Sequence, residues 1–206
     1  LSKLRLYIVR HGSTVWNKEF RYQGQVDVQL SEEGYAQARR ISARLAAEPL
    51  AAVYSSRLSR AYETAEIIAR PHGFPVEIVP GLLEISFGAW EGHPYAYVRE
   101  NYADSLRQWN LDPTNYCIPD GEALTSFQAR VSAALEYILG NHSDGTVAVV
   151  AHSGTIRMLF CLLLKMDLSA FWRIMQYNGS VNLVEFHDRT PTVLTINDTA
   201  HLQDKQ

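Results

Sequence analysis

Two histidines stand at matching places in this chain. His11 follows the apolar run LYIV at 6–9 and Arg10, and precedes Gly12; His152 follows the run TVAVVA at 146–151 and precedes Ser153 and Gly154. A run of β-favouring residues that stops abruptly at polar ones is how a buried parallel strand ends in a loop. In open α/β sheets, ligands bind in the crevice outside the carboxyl ends of the strands, so the two imidazoles can meet there. The same rule delivers Arg57 and Arg60, just past the strand LAAVYSS at 50–56, and Glu84, at the exit of VEIVPGLLE at 76–84. An imidazole can attack phosphorus, a guanidinium holds anionic oxygens in pairs, and a carboxyl can give and take a proton. Gly12 lets another group approach the backbone closely. The chemistry these residues suit together is phosphoryl transfer. His72, His93, His142, His187 and His201 form no ligand spacing with Cys or Asp, so neither a metal nor another cofactor is expected.

These residues need strands and helices in alternation to position them. Ser31 opens SEEGYAQARRISARLA as a helix N-cap, with Glu32 and Glu33 at the positive helix end and Tyr35, Ala38, Ile41 and Leu45 at helical spacing; Gly34 is the one cost in its first turn. RLSRAYETAEIIARPHG is a second helical pattern, closed by Pro71 and Gly73. Residues 13–30 carry turn formers and are expected to be a loop over the first strand's end. Helices are also expected over 123–139 and 156–165, and VNLVEFH and PTVLTIN read as a closing hairpin at the sheet edge. The middle of the chain breaks the alternation. From 84 to 122 it is crowded with aromatics and prolines, and reads as an insertion of short helices and loops that packs its own core or caps a pocket. The fold class is therefore α/β: a three-layer α/β/α sandwich with a mostly parallel sheet and an edge antiparallel strand, plus a helical and loop insertion over the site.

A length of 206 residues fits one domain over 1–206 that includes this insertion. With 47% hydrophobic and 20% charged residues, the chain has the composition of an ordinary globular protein rather than a disordered one. Its net charge of -3 offers no general attraction to nucleic acid or anionic membrane, so an anion site must be a local cluster of positive groups. No apolar run approaches the ~20 residues of a membrane span. Two cysteines without a CxxC pair and no signal-like start make a reducing cytoplasm the expected setting.

Taken together, RHGSTVWN at 10–17, YQGQVDVQLSEEGYAQA at 22–38, VYSSRLSRAYETA at 53–65, LLEISFGAWEG at 82–92, DGEALTSFQARV at 120–131, VAVVAHSGTIRML at 147–159 and NDTAHL near the end resemble the histidine phosphatase superfamily, the phosphoglycerate-mutase-like fold. The match covers nearly the whole chain. The resemblance implies that His11 becomes phosphorylated, that Arg10, Arg60 and His152 form the phosphate pocket, and that Glu84 is the proton donor. It implies a substrate side lined by Asn17 and the Gln23–Gly24 turn, with Ser153 in the last catalytic motif also binding substrate. Arg57 falls where the family varies; helix capping or a salt bridge is its expected role. LLEISFGAWEGHPYAYV resembles the shorter phosphatase branch, in particular broad-specificity and α-ribazole phosphatases. The implied activity is hydrolysis of a small-molecule phosphomonoester through a phosphohistidine. The alternatives are a phosphoglycerate mutase and a non-catalytic adaptor that binds a phospho-ligand.

Overall fold

The computed structural model describes residues 2–203. In chain order the elements are β1 (Lys3–Arg10), α1 (Val15–Lys18), α2 (Glu32–Leu45), β2 (Leu50–Ser55), α3 (Ser59–Ala69), β3 (Val76–Ile78), α4 (Tyr95–Asn101), α5 (Ala103–Leu111), α6 (Leu124–Asn141), β4 (Gly145–Ala151), α7 (Ser153–Leu163), β5 (Val181–His187) and β6 (Thr190–Asp198), with short 3-10 turns between several of them. The six strands form one sheet in the order β3-β2-β4-β1-β5-β6. β3, β2, β4 and β1 are parallel, β5 is antiparallel to β1, and β6 returns antiparallel to β5, so the expected hairpin closes the sheet.

Strand alternation decides which residues face which helices. Leu4, Leu6 and Ile8 of β1 and Val147, Val149 and Ala151 of β4 point toward α6 and α7, into a cluster that includes Phe127, Leu135, Ile156 and Phe160. Tyr7, Val9, Ala148 and Val150 point the other way and pack on Ile41, Leu45, Ala61, Ala65 and Ile68 of α2 and α3. Both faces are thus covered. This is why the central strands read as unbroken apolar runs instead of alternating ones.

The register of the parallel strands does the positioning. Arg10 pairs with Ala151 and Ser55 with Val150, so Ser56, His152 and His11 emerge side by side. One further ladder bond, from the His11 amide to the Ala151 carbonyl at 3.1 Å, ties the first histidine to the strand carrying the second.

Three local expectations change. Residues 13–30 hold the short helix α1, capped by Thr14 in a reciprocal capping box with Asn17. β3 ends at Ile78, so Glu84 is presented by a 3-10 turn at Pro80–Leu82 rather than by a strand. α7 begins at Ser153, three residues earlier than its apolar periodicity indicates, because its first turn faces a carboxylate and not the core.

The segment 84–122 carries α4 and α5 and buries Trp90, Val98, Leu106 and Trp109 in the same cluster as α6. Its two ends are stitched together. The Glu122 amide donates to the Ser86 carbonyl at 3.0 Å, the Ser86 amide to Glu122 Oε2 at 3.3 Å, and the Ala89 amide to the Pro119 carbonyl at 2.9 Å.

Gly34, a local cost by propensity, is required by a backbone crossing. The Ser31 amide and hydroxyl both donate to the Ser13 carbonyl, at 2.9 and 3.0 Å, which draws the start of α2 onto the loop that follows His11. A Cβ on Gly34 would lie 2.1 Å from the Ser13 carbonyl oxygen, and one on Gly12 would lie 2.4 Å from the Gly34 oxygen. Gly34→Ala gains about 1 kcal/mol of helix propensity, but overpacking against fixed backbone costs roughly 1–3 kcal/mol. The expected result in urea unfolding is a net loss of stability. A variant as stable as the parent would show that the 12–13 loop yields freely.

Candidate active site

A cavity of about 270 Å³ opens at the carboxyl ends of the strands. It is lined by Arg10, His11, Asn17, Gln23, Gly24, Arg60, Glu84 and Ser153, which are all of the sequence-derived candidates except His152. His152 lies behind this lining, fully buried, with its ring centroid 5.2 Å from that of His11. Arg57 points elsewhere: it is exposed, and among the described residues it makes neither a helix cap nor an ion pair, which corrects the role expected for it.

His11 is held by one contact. Its Nδ1 is 2.6 Å from the carbonyl oxygen of Gly12; a carbonyl can only accept, so Nδ1 carries the proton and Nε2 keeps its lone pair. Burial, then the Arg60 and Arg10 charges, hold the His11 pKa well below the usual imidazole range. The Asn178 amide spans the His11 carbonyl, at 3.3 Å, and Asn17 Oδ1, at 3.2 Å, and so fixes this loop from the opposite side.

Arg10 and Arg60 are anchored by backbone carbonyls. Arg10 Nη1 donates to Gln176 O at 2.6 Å; Arg60 Nη1 and Nη2 donate to Val26 O at 2.8 Å and Gly24 O at 2.6 Å. Gly24, at φ 51, supplies its carbonyl where a side chain would run into Glu91. Neither arginine is in an ion pair among the described residues, and the Nε of each is buried without a partner. Burial brings both pKa values down to about 10, which leaves the guanidiniums charged at neutral pH. After these bonds each guanidinium still has N–H groups to offer an anion.

Glu84 is buried at the N-terminus of α7. Its Oε2 accepts from the Gly154 amide at 3.0 Å, and its Oε1 from the Thr155 amide at 3.1 Å and the Ile85 amide at 3.0 Å. An anionic side chain at the positive end of a helix is a favourable pairing. Gly154 is required here, since a Cβ would sit 2.4 Å from Glu84 Oε1. The backbone leading into Glu84 is gripped by Arg130, whose Nη atoms donate to the carbonyls of Gly81, Leu83 and Glu84 while the guanidinium pairs with Glu122 at 2.6 Å. Glu91 clamps a neighbouring turn through the amides of Gln25 and Phe87 and the Ser86 hydroxyl. Glu91 and Glu122 are thereby committed to holding loops.

Several residues here carry no signal in the sequence. Ser56 Oγ accepts from the Leu58 amide at 3.3 Å and lies 2.7 Å from His152 Nε2. Among the described residues the buried Ser56 hydroxyl proton has no acceptor other than His152 Nε2, which places the His152 proton on Nδ1, a buried atom with no partner among those residues. Burial first, then Arg60, His11 and Arg10, push the His152 pKa well below the usual range. Arg21, Tyr22, Phe87, Trp109, Asn110, Arg157 and Trp172 complete the wall. Helical spacing marks Arg157 one turn after Ser153, but only tertiary structure turns it toward the cavity. Among the described residues no group of His, Cys, Asp and Glu is arranged to hold a metal ion, and no helix is long and apolar enough to cross a membrane.

Comparison with known proteins gives matches over nearly the whole chain. The family model for the histidine phosphatase superfamily (branch 1) matches residues 6–199. Phosphoserine phosphatase 1 of Hydrogenobacter thermophilus is 37% identical over 199 residues, covering 97% of this chain and 94% of that protein. Among solved structures, Bacillus stearothermophilus YhfR superimposes with a TM-score of 0.91 at 33% identity, over 97% of this chain and 100% of the other. The α-ribazole phosphatase of Shigella flexneri superimposes with a TM-score of 0.85 at 26% identity, over 94% and 96%.

The two imidazoles make a direct test. At pH 6 an exposed histidine with a pKa near 6.5 is about three-quarters protonated, whereas His11 and His152 are expected to stay neutral, both as Nδ1–H tautomers, in ¹⁵N NMR spectra. Ser56→Ala should leave His11 unchanged and give His152 a mixture of tautomers. A His152 that is already Nε2–H in the parent would refute the role drawn for Ser56.

Proposed function

This chain belongs to branch 1 of the histidine phosphatase superfamily, and from that premise we propose that it hydrolyses small-molecule phosphomonoesters by way of a phosphohistidine at His11. One observation carries the reading: a neutral imidazole, with its proton fixed on Nδ1 by the Gly12 carbonyl, lines a cavity that also holds two guanidiniums in no ion pair among the described residues.

The ester's phosphoryl dianion binds to the spare N–H groups of Arg10 and Arg60 and to His152 Nδ1–H. A neutral His152 can donate this bond without being protonated, so the imidazolium that simple charge matching suggests is not needed. His11 Nε2 attacks in line: the P–N bond forms as the bond to the alcohol oxygen breaks, with charge spread over the three oxygens these donors hold. Glu84, in its acid form, gives its proton to the departing alkoxide. As a carboxylate it then takes a proton from a water molecule, whose oxygen attacks phosphorus; the P–N bond breaks, phosphate leaves and His11 is regenerated. The amides of Thr155 and Ile85 fill Oε1 and that of Gly154 takes one side of Oε2, so the proton Glu84 gives is carried on the remaining lone pair of Oε2. Asn17, through Asn178, fixes the His11 loop, and Gln23, Gly24 and Ser153 shape the substrate side.

The aromatic wall of Tyr22, Phe87, Trp109 and Trp172 supports a broad-specificity enzyme, with α-ribazole phosphate, a substrate with a flat ring, as one member of the range. Release of inorganic phosphate across a panel of phosphomonoesters, including α-ribazole phosphate, phosphoserine and the phosphoglycerates, separates this activity from a mutase, which would interconvert the phosphoglycerates, and from an adaptor, which would turn over none.

His11→Ala is expected to lower hydrolysis by at least about 10³-fold and to abolish an acid-labile phosphoryl label; labelling that survives would reject the nucleophile. Activity should persist in EDTA and be blocked by vanadate, which adopts the five-coordinate geometry of the transition state. Activity lost in EDTA and restored by Mg²⁺ or Zn²⁺ would show a metal-dependent step instead.

Glu84→Gln tests the acid. An alkyl ester releases a basic alkoxide and should lose roughly 100- to 10,000-fold in the rate of phosphoenzyme formation, while a nitrophenyl ester, whose leaving group needs no proton, should lose far less. Equal losses on both esters would make Glu84 a phosphate-positioning group.

A further inference from the structure

His11 takes its tautomer from the Gly12 carbonyl, and that carbonyl belongs to the Gly12–Ser13 peptide. A trans peptide is planar, with its N–H and C=O pointing in opposite directions, so whatever holds the Ser13 N–H also aims the oxygen at Nδ1. The peptides on either side are held by other groups. Thr64 Oγ1 accepts from the Gly12 amide at 3.2 Å, the Gly179 amide donates to the His11 carbonyl at 3.1 Å, and the Ser31 amide and hydroxyl both donate to the Ser13 carbonyl. The Ser13 N–H goes to a side chain of α2: it donates to Gln37 Oε1 at 2.8 Å.

Gln37 is oriented in turn. Its carboxamide must present oxygen to the Ser13 N–H, which leaves Nε2 to donate to Glu33 Oε1, one turn earlier on α2, at 3.3 Å. All three bonds then run in one sense: from His11 Nδ1–H to Gly12 O, from Ser13 N–H to Gln37 Oε1, and from Gln37 Nε2–H to Glu33 Oε1. Hydrogen bonds aligned head to tail polarise one another, so this line makes Gly12 O a better acceptor and pushes electron density toward the lone pair at His11 Nε2. The far end lies at the surface, where Lys18 pairs with Glu33 at 2.9 Å; the carboxylate charge is screened there and the aligned dipoles remain. A carboxylate set directly on Nδ1 would stabilise the imidazolium and repel a phosphoryl dianion. A carboxamide and a peptide orient the ring without adding charge.

We propose that Gln37 is a positioning residue for the nucleophile: through the Gly12–Ser13 peptide it holds His11 as the Nδ1–H tautomer, with Nε2 free for in-line attack. Ser13 is buried, so without this acceptor its N–H must turn toward another partner. The Gly12 carbonyl turns with it, because a glycine leaves the peptide free to rotate. This proposal rests on the phosphohistidine reading of the site and adds the group that keeps the attacking nitrogen unprotonated.

Two replacements make the test: Gln37→Met, close in length but without the amide, and Gln37→Glu, which keeps an oxygen at the Oε1 position. Gln37 is half-buried on α2, so either change leaves the apolar clusters intact. In ¹⁵N NMR spectra His11 is expected to pass from Nδ1–H in the parent to a mixture of tautomers in Gln37→Met and to stay Nδ1–H in Gln37→Glu, with His152 unchanged in both. The rate of phosphoenzyme formation should fall about 10-fold in Gln37→Met, the scale of one lost hydrogen bond, and Gln37→Glu should recover most of it. The half-saturating substrate concentration should stay nearly constant, because Arg10 and Arg60 are untouched. A slower Gln37→Met enzyme whose His11 keeps the parent tautomer would make Gln37 a general structural support and overturn the proposal, as would mixed tautomers in Gln37→Glu. The tautomer is read without turnover. A chain that hydrolyses nothing but shows the tautomer shift would therefore defeat the hydrolase reading while sustaining this one, and an unchanged tautomer in Gln37→Met would defeat this one whatever the rates.

Discussion

Two guanidinium charges are withdrawn from water in this structure, bonded to carbonyl dipoles and facing carboxylates only at a distance. Removing an ion from water costs several kcal/mol even after the surroundings relax, and a neighbouring carboxylate would be the simplest compensation. Arg10 and Arg60 form no ion pair among the described residues, and the Glu84 charge that favours both, with Asp27 and Glu91 for Arg60, acts from a distance. They are bonded instead to the carbonyls of Gln176, Val26 and Gly24, which partly solvate the charge without cancelling it. Much of the surrounding architecture exists to keep those carbonyls in place. The Gln176 side chain is bonded to Asn182, and Asn182 to the Ile8 carbonyl on β1, while Gly24 holds a backbone conformation in which a side chain would strike Glu91. The fold's apolar clusters on both faces of the sheet supply the stability that this arrangement consumes.

The consequence reaches the two imidazoles. A positive potential in a dry pocket disfavours any further positive charge, so His11 and His152 are neutral, and each must be oriented by hydrogen bonding rather than by charge. Gly12 does this for His11 and Ser56 for His152, and in both rings the proton ends on Nδ1. One ring then offers a lone pair at Nε2 and the other an N–H donor at Nδ1. Identical side chains thus acquire opposite roles from single contacts on the loops beside them.

The positions legible in the sequence were those attached to regular elements. His11 and His152 lie directly at the ends of buried strands, and Arg60 lies in the first turn of the helix after β2, so period and strand-exit geometry place all three. Glu84 was legible by motif more than by geometry: five residues, three of them a 3-10 turn, separate it from β3, and what fixes it is the start of α7, seventy positions away. Ser56 and Arg157 were not legible. Ser56 looks like an ordinary residue after a strand until the register with β4 sets it beside His152. Arg157 looks like the polar position of an amphipathic helix until Trp172, from the 3-10 turn that follows α7, stacks on it. Gly34 was misweighed, because helix propensity does not register a second backbone crossing at van der Waals distance.

The stitched ends of the segment between Ser86 and Glu122 bear on how such an enzyme changes over generations. Their cross-bonds close the segment at its root, and Arg130 locks that root to the carbonyls before Glu84. Lengthening a closed loop adds little free energy, about 0.6 kcal/mol for each doubling. The stretch from Tyr95 to Ile118, which lies beyond Glu91 and inside the Ala89–Pro119 stitch, can therefore be shortened, extended or replaced while the acid stays registered against α7. Since Trp109 and Asn110 ride on that stretch, substrate preference can drift through a cassette whose exchange leaves the phosphoryl-transfer machinery untouched.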